Sequence, residues 1–334
     1  MREPAFWWRA PGLASGLLAP LAAIYGHVAE KRLRRPGATL PVPVVCVGNL
    51  TVGGAGKTPT AIALARLMQA AGLAPVFLTR GYKGRLAGPL RVDPTAAAAD
   101  VGDEPLLLAR VAPTILARDR VAGAALALTA RASAIVMDDG LQNPSLVKTI
   151  ALVVLDGRRG AGNARVVPAG PLRAPLEAQL DRAHGLLVVG EPSAAAEEIV
   201  GMVRKRGLPV FFGRLAPDPA AVATLRGQKL LAYAGIADPD KFVATLAAAG
   251  LAPAQTVRFA DHHAFTPAEA ARLLADADAN GLRLVTTEKD VLRLQGDPAL
   301  AGLAARSAVL PVGLVLDEPA AMRAFLAGRT GLRL

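Results

Sequence analysis

At 334 residues the chain can form one large or two ordinary α/β domains, and its 52% hydrophobic content fills such cores, which excludes a disordered chain. A single cysteine, Cys46, excludes an internal disulfide and a cysteine-built metal site, and suits a reducing compartment. The net charge of +11 is compatible with an anionic membrane or a phosphorylated substrate. Nucleic acid is not expected, because the arginines are scattered and neither an RNA-binding aromatic signature nor a zinc-finger spacing occurs.

Residues 1–35 stand apart. Phe6, Trp7 and Trp8 precede an apolar run from Ala10 to Tyr25, and Lys31, Arg32, Arg34 and Arg35 follow it; with Arg2 and Arg9 these cations outnumber Glu3 and Glu30. The run is shorter than the roughly 20 residues that span a bilayer and contains Pro11 and Pro20. The basic cluster follows the apolar run, which is the reverse of a signal peptide. Interfacial tryptophan with flanking cations predicts a helix lying on an anionic membrane surface, and an amphipathic helix packed on its own domain shows the same pattern.

From Val44 an apolar β-branched run empties into a glycine-rich turn ending Gly-Lys-Thr, which predicts a strand, a phosphate-binding loop and a helix from Pro59 to Ala71. Thr51, Val52, Gly53, Gly54, Ala55, Gly56, Lys57 and Thr58 are the expected nucleotide-binding residues. Their amides and the helix dipole would cradle phosphate, Lys57 would reach its outer oxygens and Thr58 would ligate Mg²⁺. Thr51 occupies the place where the usual spacing has glycine, and Gly48 lies three residues too early.

Strands and helices then alternate. A strand at Pro75–Thr79 leads into Arg80-Gly81-Tyr82, a helix opens at Gly102-Asp103-Glu104-Pro105, a strand covers Pro113–Ala117, and an alanine-rich helix follows Arg118-Asp119-Arg120. The strand from Ala134 delivers Asp138 and Asp139. Alone, Asp-Asp-Gly is an ordinary surface turn; beside a phosphate loop the pair is the expected metal site. Strands at Ile150–Leu155 and Gly185–Val189 flank a rigid loop, Val167 to Arg173, suited to presenting Arg173 to phosphate. This order predicts a parallel sheet with helices on both faces over residues 36–218.

A pause at Ala216-Pro217-Asp218-Pro219 predicts a linker, and residues 226–334 a second, smaller α/β domain. Its expected strands are Lys229–Ile236, Gln255–Phe259, Leu282–Thr286 and Ala308–Leu316, with helices at Asp240–Ala249 and, capped by Thr266, Pro267–Ala279. Asp261-His262-His263 and Thr287-Glu288-Lys289-Asp290 follow strands. Each is by itself a common solvated turn or helix cap, and the second does not match the guanine-reading order.

These stretches resemble, in order and over nearly the whole chain, those of the tetraacyldisaccharide 4'-kinase (lipid A 4'-kinase) family. They are Gly48-Asn49-Leu50 through Gly-Lys-Thr-Pro, Thr79-Arg80-Gly81-Tyr82, Gly102-Asp103-Glu104-Pro105, Asp138-Asp139-Gly140-Leu141-Gln142, Pro168 to Arg173, Asp261-His262-His263 and Thr287 to Asp290. The resemblance implies a P-loop NTPase-like core, a smaller α/β domain closing over its cleft, and an N-terminal helix at the cytoplasmic face of the inner membrane. It implies ATP and Mg²⁺ as cofactors and an acylated disaccharide lipid as substrate, phosphorylated on its 4'-hydroxyl to give lipid IVA; no protein partner is implied. It also implies Asp103 and His262 as an interacting catalytic pair beside Lys57, Thr58, Asp138 and Asp139 as the metal site, and Asn49, Arg80, Gln142 and Arg173 as substrate contacts. Three positions depart from the family pattern: Leu141 where an aromatic is usual, Asn143 where histidine is frequent, and Ala174 where an acid is common. A membrane-associated switch or delivery ATPase is the rival reading, and Val52, where such loops often carry a lysine, counts against it.

Overall fold

Every residue of Val44–Asn49 is buried, because this segment, β1, is the middle strand of a nine-stranded sheet. The structure is a computed structural model describing residues 3–334; Met1 and Arg2, the latter counted among the N-terminal cations, lie outside the described residues. Helices α1 (Leu13–Leu17) and α2 (Ala19–Leu33) precede β1. After it come α3 (Lys57–Ala70), β2 (Pro75–Thr79), β3 (Leu90–Arg91), α4 (Ala98–Val101), α5 (Asp103–Ala109), β4 (Thr114–Leu116), α6 (Arg120–Thr129), β5 (Ala134–Asp138), β6 (Ile150–Asp156), α7 (Leu176–Leu180), β7 (Gly185–Val189), α8 (Ala194–Lys205) and β8 (Val210–Pro217). Apolar spacing decides which helix face turns inward: α3 buries Ala61, Leu64, Ala65 and Met68 against Val45, Phe77 and Val136.

The chain continues through α9 (Pro219–Leu225), β9 (Leu230–Ala234), α10 (Pro239–Ala248), β10 (Gln255–Arg258), α11 (Pro267–Asn280), β11 (Arg283–Thr287), α12 (Glu288–Leu294), α13 (Ala301–Arg306), β12 (Ala308–Leu310), β13 (Val312–Leu316) and α14 (Pro319–Thr330). Thr266 caps α11 in a reciprocal capping box with Glu269. A second sheet runs β10-β9-β11-β12, all parallel. The large sheet runs β13-β8-β7-β6-β1-β5-β2-β4-β3, parallel except at its two edge pairs.

The strand expected over 308–316 is two strands. Pro311 separates them: β12 stays in the small sheet, whereas β13 crosses back and pairs antiparallel with β8, Val312 opposite Pro217. Met322 and Leu326 of α14 then pack in the core of the large sheet. The two sheets are thus joined by two adjacent chain crossings, a geometry suited to a hinge.

The N-terminal tryptophans do not face outward as expected. Trp7 is buried and donates through Nε1 to the Pro168 carbonyl at 3.0 Å, and the Trp8 ring lies under Arg159 at 4.7 Å. The helices dock instead through small residues: Ser15 Oγ donates to the Ala169 carbonyl at 2.9 Å, and Ala22 and Gly26 are buried beside Val166 and Pro175. The opposite face is apolar and exposed, with Leu13 at 90%, Leu17 at 82% and Ile24 at 66%, joined by Leu21, Tyr25 and Val28.

Candidate active site

The loop after β1 closes over its own lysine. Gly53 and Gly56 have φ of +101° and +92°, values that side chains resist, and Gly56 lies immediately before α3. Thr51 needs no such freedom: it forms an extended bridge with Leu172, and Val52 N donates to the Pro171 carbonyl at 2.8 Å, so a β-branched residue fits where the usual spacing has glycine. Glycine is required at 48 instead, where an added Cβ would meet the Leu141 Cβ at 2.4 Å. That close approach brings the Asp138-Asp139-Gly140-Leu141 turn against the loop.

Lys57 Nζ donates to the Gly53 carbonyl at 3.2 Å and stands 3.9 Å from Asp139. Burial lowers its pKa, and Asp139 opposes that shift. The two adjacent carboxylates separate: Asp138 accepts from Thr58 Oγ1 at 2.9 Å, whereas Asp139, at a φ of +54°, accepts from Arg173 at 2.7 Å. Burial, with help from Glu104 and Asp139, pushes the Asp138 carboxyl up to about 7. Its Oδ1 is buried without a hydrogen-bond partner among the described residues. An orphaned carboxylate oxygen beside a threonine hydroxyl fits Mg²⁺, which takes one or two carboxylates and completes its shell with phosphate and water.

Asp103 opens α5 and is buried. His262 Nδ1 lies 3.4 Å from Asp103 Oδ2, and the His262 ring meets Tyr82 edge-on at 5.7 Å between centroids. The expected pair is therefore together, across the junction of the two sheets. A partner that sequence reasoning missed joins it: Arg293 of α12 donates to Asp103 through Nε at 3.1 Å and through Nη2. Arg293 is itself fixed by Asp290 at 2.9 Å and the Gly235 carbonyl at 2.7 Å. Burial alone would raise the Asp103 carboxyl; the His262 hydrogen bond, Lys289 and Arg293 outweigh it and hold the group well below the usual carboxylate range. Lys289 in turn pairs with Glu104 at 2.8 Å. The segment read as a charged helix cap is thus the clasp between the halves of the protein.

Of the expected substrate contacts, Arg80 is exposed and Arg173 borders the loop, with Nε on the Thr51 carbonyl at 2.8 Å. Asn49 and Gln142 are used inside the protein instead. Asn49 is buried with its amide on the Gly53 carbonyl at 3.2 Å, and Gln142 donates to the Asn49 carbonyl and to Gln179, each at 2.8 Å. Leu141 and Ala174 are fully buried, and Asn143 accepts from Ser145 N at 2.9 Å in a local turn, so none of these three departures places a polar group in the site.

The family model described as LpxK: Tetraacyldisaccharide-1-P 4'-kinase matches residues 14–330. A tetraacyldisaccharide 4'-kinase of Rhodopseudomonas palustris (strain BisA53) is 52% identical over 334 residues, covering 99% of this chain and 96% of that protein. One from Methylobacterium sp. (strain 4-46) is 55% identical over 337 residues, covering 99% of this chain and 100% of that one. Among solved structures, an apo-form LpxK from Aquifex aeolicus in complex with ATP superposes with a TM-score of 0.74 at 25% identity, covering 95% of this chain and 100% of that one.

Proposed function

The chain belongs to the tetraacyldisaccharide-1-P 4'-kinase family and is an ATP-dependent lipid A 4'-kinase, and from that premise we propose how its own residues carry the transfer. The bond that forms joins the acceptor's 4'-oxygen to the γ-phosphorus of ATP. The bond that breaks joins that phosphorus to the β,γ-bridging oxygen, so ADP leaves and the acceptor loses one proton. Lys57 and the amides of residues 53–58 hold the phosphates, and Arg173, ordered by Asp139, adds a second cation. Thr58 and Asp138 would hold Mg²⁺, which when bound neutralises charge on the β- and γ-phosphates.

Asp103 is the group we assign to take the hydroxyl proton, with His262 and Arg293 orienting it. The observation that carries this assignment is the meeting of Asp103 and His262 at 3.4 Å across the hinge, beside a Glu104 close enough to raise the Asp138 carboxyl. Closure of the smaller α/β unit would thus seat His262 and Arg293 on Asp103, which already stands in the same unit as the phosphate loop. The test of the reading is ATP turnover by the purified chain with and without a tetraacyl disaccharide acceptor. A kinase is nearly idle without the acceptor, whereas the rival switch ATPase hydrolyses at the same rate in both.

The raised Asp138 carboxyl gives a pH signature. A group with pKa near 7 is mostly protonated below neutrality, and a proton there competes with the cation, so Mg²⁺ binding strengthens as pH rises. Titration of Mg²⁺ into the complex with a non-hydrolysable ATP analogue should show about a tenfold gain in affinity between about pH 6 and pH 8. Asp138→Asn should weaken binding and flatten that dependence; an unchanged slope would move the raised carboxyl elsewhere.

The exposed apolar face of α1 and α2 fits the surface from which a lipid substrate must come. No helix among the described residues is long and apolar enough to cross a bilayer, so the helices would lie on the membrane, Leu13, Leu17 and Ile24 inserted and Lys31, Arg32 and Arg35 against anionic headgroups. Each such cation contributes about 1 kcal/mol near that surface. Replacing Leu13, Leu17 and Ile24 with serine should release the protein from anionic vesicles in flotation while ATP binding is kept. Flotation that survives both this change and high salt would contradict membrane seating by this face.

A further inference from the structure

Arg120 is a buried cation that the proposed transfer leaves unused. It is the first residue of α6 and only 3% exposed. Its side chain donates through Nη1 to the Ala117 carbonyl, and its Nε is buried without a partner among the described residues. A guanidinium presents five donors in a rigid plane, so with Nη1 on one backbone acceptor the buried Nε–H is left unmet.

Strand register shows what lies around it. Thr79 of β2 is opposite Leu116 of β4, and Ala117 N donates to the Thr79 carbonyl at 3.0 Å, so Arg80 and the Ala117–Arg120 turn leave neighbouring strand ends. On the other side of β2, Leu78 pairs with Met137, so Asp138 and Asp139 leave the same edge one strand away; the phosphate loop follows on β1. Burial first, and then the charge of Arg80, bring the Arg120 guanidinium down to about 10, while Asp139 and Asp138 pull the other way. A buried guanidinium with an unmet donor, at a strand end next to the one that carries a second arginine, is a cost to the protein that an anion bound there removes.

We propose that Arg120, together with Arg80, receives anionic phosphate oxygens, those of the phosphoryl group passing from ATP to the acceptor, so that this group is held between Lys57 on the nucleotide side and Arg120 on the acceptor side. The inference rests on the kinase reading above. Arg120 keeps its protons throughout and donates hydrogen bonds to charge that is shared between the forming and breaking P–O bonds.

The test is calorimetric binding of ADP with Mg²⁺, with and without aluminium fluoride as a planar mimic of the moving phosphoryl group. Wild type, Arg120→Gln, Arg120→Lys and Arg80→Gln are compared, alongside kcat, acceptor KM and melting temperature. Arg120→Gln should weaken the fluoride complex by about 10²-fold and lower kcat in parallel, leaving ADP affinity and acceptor KM within about twofold. Arg120→Lys should fold like wild type and recover part of the loss. Equal weakening of ADP and of the fluoride complex, or loss of fold in both variants, would make Arg120 structural and overturn the inference. A rise in acceptor KM alone would assign the anion to the acceptor's own phosphate and overturn it too. Failure of the wild type to form the fluoride complex would instead count against the kinase reading itself.

Discussion

Lys57→Ala is expected to lower kcat by about 10³-fold or more while melting within a few degrees of wild type. The Lys57 side chain is largely withdrawn from water, its Nζ resting on the Gly53 carbonyl at 3.2 Å, and Asp139 at 3.9 Å helps to keep it charged against the pull of burial. In that environment a cation that reaches phosphoryl oxygens, as proposed for Lys57, would be screened little, so its removal should be felt almost entirely in the transition state. The fold should survive, because Asp139 keeps Arg173 at 2.7 Å and the loop keeps its bridge to Leu172. Acceptor-dependent turnover and circular dichroism melting check the two halves of this expectation; near-normal turnover would remove the phosphate loop from the chemistry.

Asp103→Ala and His262→Ala should each lower turnover by roughly 10²–10⁴-fold with little change in ATP affinity, the range of a general base. Because the two side chains meet at 3.4 Å and, in the proposed mechanism, serve one proton transfer, the double variant should be scarcely worse than either single one. Multiplying losses would mean separate tasks. Arg293 adds a sign that can be checked. It is one of the cations that hold the Asp103 carboxyl low, so Arg293→Met removes positive charge and the carboxyl rises toward its ordinary value. The Asp103 carboxyl titration, followed by carbon-13 NMR of the labelled protein, should therefore move to higher pH. A titration that stays in place, or moves to lower pH, would show that Arg293 does not hold the Asp103 carboxyl down.

How much of this was legible in the sequence follows from the range of each signal. Local signals were read to within a residue or two: β-branched runs gave β1, β2, β5 and β7, and Thr266 marked the cap of α11. The adjacency of β1 and β5, which sets Thr58 against Asp138, was legible because a phosphate loop and a strand-end carboxylate have a stereotyped relation. The pairing of β8 with β13 was not, since nothing local announces an antiparallel partner nearly a hundred residues away, and Pro311 looked like part of one strand rather than the point where the chain changes sheets. Arg293 carries no sequence signal, and Lys289, though it lies in the Thr287-Glu288-Lys289-Asp290 motif, reads only as part of a helix cap, for a related reason. In sequence Glu-Lys-Asp-Val-Leu-Arg is a charged helix start, and only docking of α12 against α4 and α5, through Leu292 on Val101 and Leu106, turns those charges onto Asp103 and Glu104. Trp7 was misassigned because an amphipathic pattern says that a face is buried but not against what; here the Pro168 carbonyl takes the indole N–H. Arg120 left a legible trace only in its position, one residue into a helix that follows a strand end, and its burial had to be seen.

The most direct test of the whole account is label transfer. The purified chain would be incubated with Mg²⁺, ATP labelled at the γ-phosphorus and a tetraacyl disaccharide 1-phosphate in mixed micelles, and the position of label on the lipid determined. The account predicts label on the 4'-oxygen, one ADP released per labelled lipid, and almost no inorganic phosphate when the acceptor is left out. Release of inorganic phosphate at the same rate with and without acceptor, and no label on the lipid, would contradict it.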